Sequence, residues 1–195
     1  EGTLRLGHAI GFAQLMNNQN QEGFQTLKNV YEATARIGHE VEKARVRLTL
    51  SYGYSKAGDL QNAYQNAQAS HDFWKKIGND RMDMDTHIQL GVINFQGGQG
   101  QAAVEQLNSA LGFAQKLNIP VKQGLIYYQL GITFQNLQNS EQAINYLNQS
   151  LSIYERLKDS QLQVQILNDL GTVYEQSGNK KKAKEYRDKA KKVRN

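Results

Sequence analysis

Over residues 127–154 two amphipathic segments flank one short polar break. Leu130-Gly131 is followed by Phe134, the break falls at Gln138, Asn139 and Ser140, and Ala143, Tyr146-Leu147 and Ser150-Leu151 come after it. Apolar residues three and four apart mark one face of a helix. Small residues stand where the two helices would have to touch. The same pattern returns every 40 residues, as the columns below document. The glycine of the Leu-Gly pair falls at Gly11, Gly91, Gly131 and Gly171, with Ser51 in the remaining copy. The aromatic three residues later is Tyr54, Phe134 and Tyr174, while the first and third copies carry Gln14 and Asn94. A turn column reads Asn18, Gly58, Gly98, Gln138 and Gly178, and the second helix opens on Gly23, Ala63, Ala103, Ala143 and Ala183. The first four second helices are followed by Gly38, Gly78, Asn118 and Lys158. Five copies in one register, with no insertion, predict an all-α chain of ten paired helices.

Local signals fix the expected boundaries. Helices are predicted over residues 3–17, 19–37, 40–56 and 59–77, with Gly38 in the left-handed conformation that suits the residue just past a helix. Asp59 is expected to cap the helix that follows it, and Asp80 to do the same at the start of the third copy. Pro120, the only proline, opens a helix at a first-turn position where its missing amide is harmless. Gly97-Gly98-Gln99-Gly100 lacks the spacing and the Lys-Ser/Thr of a phosphate loop and lies between two helices, so it reads as a turn. Trp74 falls on a column with Thr34, Ala114 and Tyr154 that should face the next repeat, which predicts a buried packing role.

These columns resemble the tetratricopeptide repeat, whose signature places Leu-Gly and an aromatic in the first helix and small residues at two points of the second. Ala143, Tyr146 and Ser150 match the second half, as do Ala183, Tyr186 and Ala190. The period is 40 rather than 34 and the closing proline is missing, which predicts longer second helices. This variety is similar to the repeats of kinesin light chain, LGN-type adaptors and bacterial signalling proteins. The resemblance implies a right-handed superhelical solenoid of five helix-turn-helix repeats. Their expected bounds are 1–38, 39–78, 79–118, 119–158 and 159–195, in a single repeat domain.

Composition narrows the function. There is no cysteine, so disulfides and thiolate metal sites are excluded. No stretch approaches the roughly 18 apolar residues of a membrane helix. The chain begins at Glu1 rather than Met, which reads as a piece of a longer protein, and the expected compartment is the cytoplasm. The net charge of +5 is uneven: nine of the 23 basic residues and only two of the 18 acidic ones lie in residues 179–195. The body is therefore near neutral, and between residues 86 and 140 only Glu105, Lys116 and Lys122 carry charge. The basic end is expected to be a solvating cap, with Ala183, Tyr186, Ala190 and Val193 as its buried stripe, and no sequence-specific nucleic-acid site. The first helix is apolar on more than one face, through Leu6, Ile10, Phe12 and Met16. That reads either as ordinary packing with some tolerated exposure or as a face covered by another repeat, a partner, or a second copy through self-association.

No catalytic constellation stands out, and neither cofactor nor metal is expected. The four histidines are scattered at His8, His39, His71 and His87. Asp83, Asp85 and His87 suggest a metal, but only Asp83 and His87 share a helix face, and two ligands do not make a site. An enzyme is not expected; binding is. The resemblance implies that first helices line a concave groove. One implied column is Phe12, Tyr52, Val92, Ile132 and Thr172, and a second is His8, Leu48, Ile88, Tyr128 and Asn168. A third is Met16, Lys56, Gln96, Asn136 and Gln176. The Lys and Asn pattern with which chaperone-binding relatives grip a peptide carboxylate is not reproduced. The expected ligand is an apolar or amphipathic segment of a protein partner, on an apolar floor with an amide-rich flank. The alternative is a ligand- or peptide-sensing segment of a larger regulator, in which binding changes the superhelix. The alternative reading of the same columns is that they simply pack first helices on one another.

Overall fold

The computed structural model describes residues 2–194. Ten α-helices cover them, and no strand occurs among the described residues: α1 Gly2–Met16, α2 Asn20–Ile37, α3 Glu40–Lys56, α4 Leu60–Ile77, α5 Asp80–Gln96, α6 Gly100–Lys116, α7 Pro120–Asn136, α8 Ser140–Leu157, α9 Ser160–Gln176 and α10 Lys180–Arg194. No helix among them is long and apolar enough to cross a membrane.

The register is written into the turns. Every positive φ among the described residues lies at a position predicted from the repeat columns: Asn18, Gly58, Gly98, Gln138 and Gly178 after odd helices, Gly38, Gly78, Asn118 and Lys158 after even ones. One left-handed residue lets the next amide reach back five residues, as in His39 to the Thr34 carbonyl and Asn139 to the Phe134 carbonyl, both 2.9 Å. The following residue then caps the next helix through its side chain at six of the nine turns, the exceptions being Gln19, Gln99 and Ile119. Asp59 accepts from the Asn62 amide, Asn139 from Gln142 and Asp159 from Leu162, each at 3.1 Å. At the third copy the cap is Asn79, which accepts from the Met82 amide at 3.1 Å, and Asp80 is already inside α5. Asn79 wins because it directly follows the left-handed Gly78.

The chain divides into two compact units, residues 1–97 and 98–195. The N-terminal unit holds the hairpins α1–α2 and α3–α4 and then α5. Leu15, Leu27, Val30, Val46 and Leu50 form one core, and Ala63, Ala67, Leu90 and Ile93 another. Trp74 is 1% exposed, and its indole N–H donates to Ser70 Oγ, which donates to the Ala44 carbonyl. The C-terminal unit holds α6 and the hairpins α7–α8 and α9–α10 around Leu147, Leu151, Ile166, Leu170 and Val173. Within α10 Ala183 and Ala190 are buried and Tyr186 and Val193 half-buried, as the apolar stripe predicts.

Small residues set the hairpin contacts. A Cβ on Gly11 would lie 2.7 Å from Leu27 Cγ, and one on Gly131 2.7 Å from Leu147 Cγ. Where the column has Ser51, the residue at the Leu position is Ala67. Each hairpin thus pairs a minimal residue with a larger one, or two small ones.

Candidate functional site

Within each unit the first helices of successive repeats lie side by side, α1 with α3 and α3 with α5, and α7 with α9. This brings several predicted groove residues together. In the N-terminal unit Phe12 and Tyr52 stack obliquely with ring centroids 6.4 Å apart. Phe12 is 45% and Met16 50% exposed, while Tyr52, Leu48, Ile88 and Val92 are half-buried. On α1, Leu6 and Ile10 are also exposed, so the predicted excess of apolar surface on this helix is real.

In the N-terminal unit the polar members of the columns are engaged. Lys56 donates to the Leu15 carbonyl at 3.0 Å and to Asn18 Oδ1 at 2.7 Å, so a cation covers the carbonyl end of α1. Gln96 accepts from Ser55 Oγ at 2.6 Å. One His8 ring nitrogen lies 2.9 Å from Glu42 Oε1, and the other lies 2.7 Å from Thr49 Oγ1. Burial holds the His8 imidazole below its ordinary value, while the nearby Glu42 carboxylate pulls the other way. Glu42 itself is 2% exposed.

The C-terminal unit makes its corresponding ties through a phenol, a carboxylate and amides. The Tyr128 hydroxyl donates to Asp169 Oδ2 at 3.0 Å and accepts from Gln165 Nε2 at 2.6 Å. Burial, reinforced by the Asp169 carboxylate, raises the Tyr128 phenol to about 12. Burial likewise raises the Asp169 carboxyl, against the hydrogen bond from Tyr128. Gln135 Nε2 donates to Gln176 Oε1 at 3.1 Å. Ile132 and Thr172 are half-buried, and Asn136 and Asn168 are exposed. A shallow hollow of about 430 Å³ on α7 and α8 is lined by Gln123, Tyr127, Asn145, Asn148, Gln149 and Arg156 among others. None of these was among the predicted groove residues.

Two features escape a reading by columns. The ties Lys56–Leu15, Ser55–Gln96, Tyr128–Asp169 and Gln135–Gln176 all span 41 residues, one more than the repeat. The other is a third partner for Asp83 and His87: His71, on α4, places a ring nitrogen 2.6 Å from Asp83 Oδ1. The common offset of 41 is itself a signal, recoverable by pairing neighbouring columns rather than reading each alone.

Residues 123–195 match the tetratricopeptide repeat family. No curated protein matches the sequence. Among solved structures, the nearly identical tetratricopeptide-like repeats of a putative kinesin light chain from Podosopora anserina superpose with a TM-score of 0.80 at 19% identity. That match covers 98% of this chain and 95% of the other. A Rap protein complexed with competence and sporulation factor gives 0.85 at 20% identity, covering 97% of this chain and 53% of its own. A signal-transduction ATPase with numerous domains and a tetratricopeptide repeat sensor, from Pyrococcus horikoshii, gives 0.86 at 18%, covering 96% and 28%. At these identities the likeness establishes the fold: a tetratricopeptide-type helical solenoid.

Proposed function

We propose, for a chain that belongs to the tetratricopeptide repeat family over residues 123–195 and carries that fold throughout, that it is a non-catalytic interaction module binding an apolar or amphipathic segment of a protein. The observation that carries this reading is the exposed pair Phe12 and Met16 beside the half-buried Tyr52, all on first helices of the N-terminal unit. Exposed aromatic and methionine side chains next to a partly buried tyrosine supply apolar area with little rotamer entropy to lose. Lys56, the one lysine or arginine in the implied columns, is hydrogen-bonded to the end of α1, and no carboxylate lies in those columns. Affinity should therefore depend only mildly on salt.

In the C-terminal unit Tyr128 and Asn168 continue the reading, with Ile132 as its apolar member. Tyr128 plays a double part there, since its hydroxyl already ties α7 to α9. The test uses a peptide selected from a random display library on the purified chain. Calorimetry compares wild type, Tyr52→Ala, and Tyr52→Ala with Tyr128→Ala, each first checked for helicity by circular dichroism. Loss of at least about tenfold in affinity in folded variants is expected for hot-spot residues. Folded variants that bind as tightly as wild type would falsify the reading.

The second reading, a sensing segment of a larger regulator, draws support from the Rap and ATPase-sensor structures, which carry this fold within longer chains. It predicts that saturating peptide changes the small-angle scattering profile of the chain. An unchanged profile at saturation leaves the simple scaffold.

A further inference from the structure

The N-terminal unit assembles three ligating side chains that the groove does not use. His71 lies toward the end of α4, and Asp83 and His87 lie one turn apart on α5. Their ligand atoms all fall within 4.8 Å of one another. His71 Nδ1 is 2.6 Å from Asp83 Oδ1, and the two imidazoles meet edge to face with centroids 4.7 Å apart. Asp83 is buried, while His71 and His87 each keep an edge toward solvent.

We propose that His71, Asp83 and His87 form a binding site for a divalent cation of borderline softness, best matched by Zn(II), which clips α4 to α5. Two imidazoles and one carboxylate supply three protein ligands of the types Zn(II) takes, and the half-open position leaves a fourth place for water or an incoming side chain. Mg(II) and Ca(II) prefer sets made of oxygen alone and are poorly served here. Bonds of about 2.0–2.2 Å in a tetrahedron put donor atoms about 3.4 Å apart. Metal binding therefore requires the 2.6 Å pair to open to about that spacing. Asp83 and His87 are held on one face by their i, i+4 spacing. Thr86 backs the carboxylate: its hydroxyl donates to the Asp83 carbonyl at 2.7 Å and lies 3.5 Å from Asp83 Oδ1.

The experiment uses the full chain, free of any histidine tag and stripped with a chelator. Co(II) is added first, then Zn(II), followed by visible absorption and by calorimetry. One saturable equivalent is expected, with the intense d–d bands of low-coordinate Co(II), lost when Zn(II) displaces it. Zn(II) should raise the melting temperature read by Trp74 fluorescence, and Mg(II) should not. His71→Gln and His87→Gln should each weaken Zn(II) binding by more than about tenfold, the upper part of which exceeds typical effects of merely orienting groups. His39→Asn, outside the cluster, should leave binding unchanged. If a variant fails to fold, imidazole NMR of the wild type decides, because Zn(II) must shift the ring nitrogens of His71 and His87 and spare those of His39. No saturable equivalent, or binding undiminished in His71→Gln and His87→Gln, overturns the proposal.

Discussion

In the N-terminal unit three of the four left-handed turn positions are glycine, whereas the C-terminal unit puts Asn118, Gln138 and Lys158 in three of its five. The helix interiors lean the other way. The C-terminal unit keeps Leu-Gly with an aromatic three on in both complete hairpins. The N-terminal unit has Ser51 in place of one glycine and Gln14 in place of one aromatic. Both units nevertheless form the same hairpins, down to the matched bonds from Ser70 to the Ala44 carbonyl and from Ser150 to the Gly124 carbonyl, at 2.9 and 2.8 Å. A helix pair is specified at several levels at once, so weakness at one is tolerated where another is strong. Their inter-repeat ties differ in composition as well: a lysine, an imidazole and a hydroxyl–amide pair in the first unit, a phenol–carboxylate pair and an amide pair in the second.

The largest effect should come from breaking the N-terminal unit at its one tryptophan. Trp74→Ala removes a buried ring and the donor to Ser70, and is expected to cost about 3–5 kcal/mol. Urea melts followed by circular dichroism should show the N-terminal unit unfolding first, and a change under about 1 kcal/mol would contradict its core role. Next comes the hairpin contact of the C-terminal unit. Gly131→Leu drives side-chain atoms into Leu147 and should cost about 1–3 kcal/mol. Adding Leu147→Ala should recover part of that loss, which a double-mutant cycle reads directly. An additive cycle would mean that Gly131 and Leu147 are not the touching pair.

Three substitutions should stabilise. Ser51 Oγ is buried without a hydrogen-bond partner among the described residues, so Ser51→Ala is expected to gain on the order of 1 kcal/mol. A loss would show that the hydroxyl is satisfied. Gln138→Gly and Lys158→Gly relieve left-handed strain in the C-terminal turns, each for up to about 1 kcal/mol after the entropy given to the unfolded chain. The same exchange at helix-interior Gln135 should destabilise, and melting temperatures order the three.

The smallest effect is one of sign. Burial lowers the folded-state value of His8, so the folded chain binds fewer protons than the unfolded one around 6.5. Its contribution is intact above that pH and lost as pH falls toward the folded value. Asp169 is raised instead, so its contribution is intact below 3.8 and lost as pH rises through its folded value. Acid thus charges the buried His8 ring at a cost that Glu42 only partly offsets and Arg45 adds to, and it relieves the cost of burying the Asp169 carboxylate although the Tyr128 hydrogen bond favours the ionised form. His8→Gln should flatten the acid side of the stability profile near 6.5, and Asp169→Asn the rise at lower pH. Profiles that tilt the opposite way contradict the assignment.

The turns were legible because a left-handed residue and an N-cap recur at fixed offsets; Asp80 misled only because Asn79, one place earlier, is an equally good cap. Trp74 was legible from its column. The neighbours of the groove residues were not, since Lys56 reaches the Leu15 carbonyl across a repeat boundary and a backbone acceptor leaves no mark in a sequence. His71 was missed for a related reason. It faces Asp83 across the α4–α5 turn, where helical periodicity, which counts along one axis, has no say.

The bonds that span 41 residues also bear on time. Each forms only after one further first helix has been made, so a nascent chain can complete each tie about a repeat behind the point of synthesis. Loop closure of that length adds little entropy with each repeat, and local topologies fold fast. Assembly within each unit can therefore run from the amino end toward the carboxyl end, hairpin by hairpin. Pulse-labelled hydrogen exchange should find the amides of α1 and α2 protected only once α3 has emerged to supply Lys56 and Thr49.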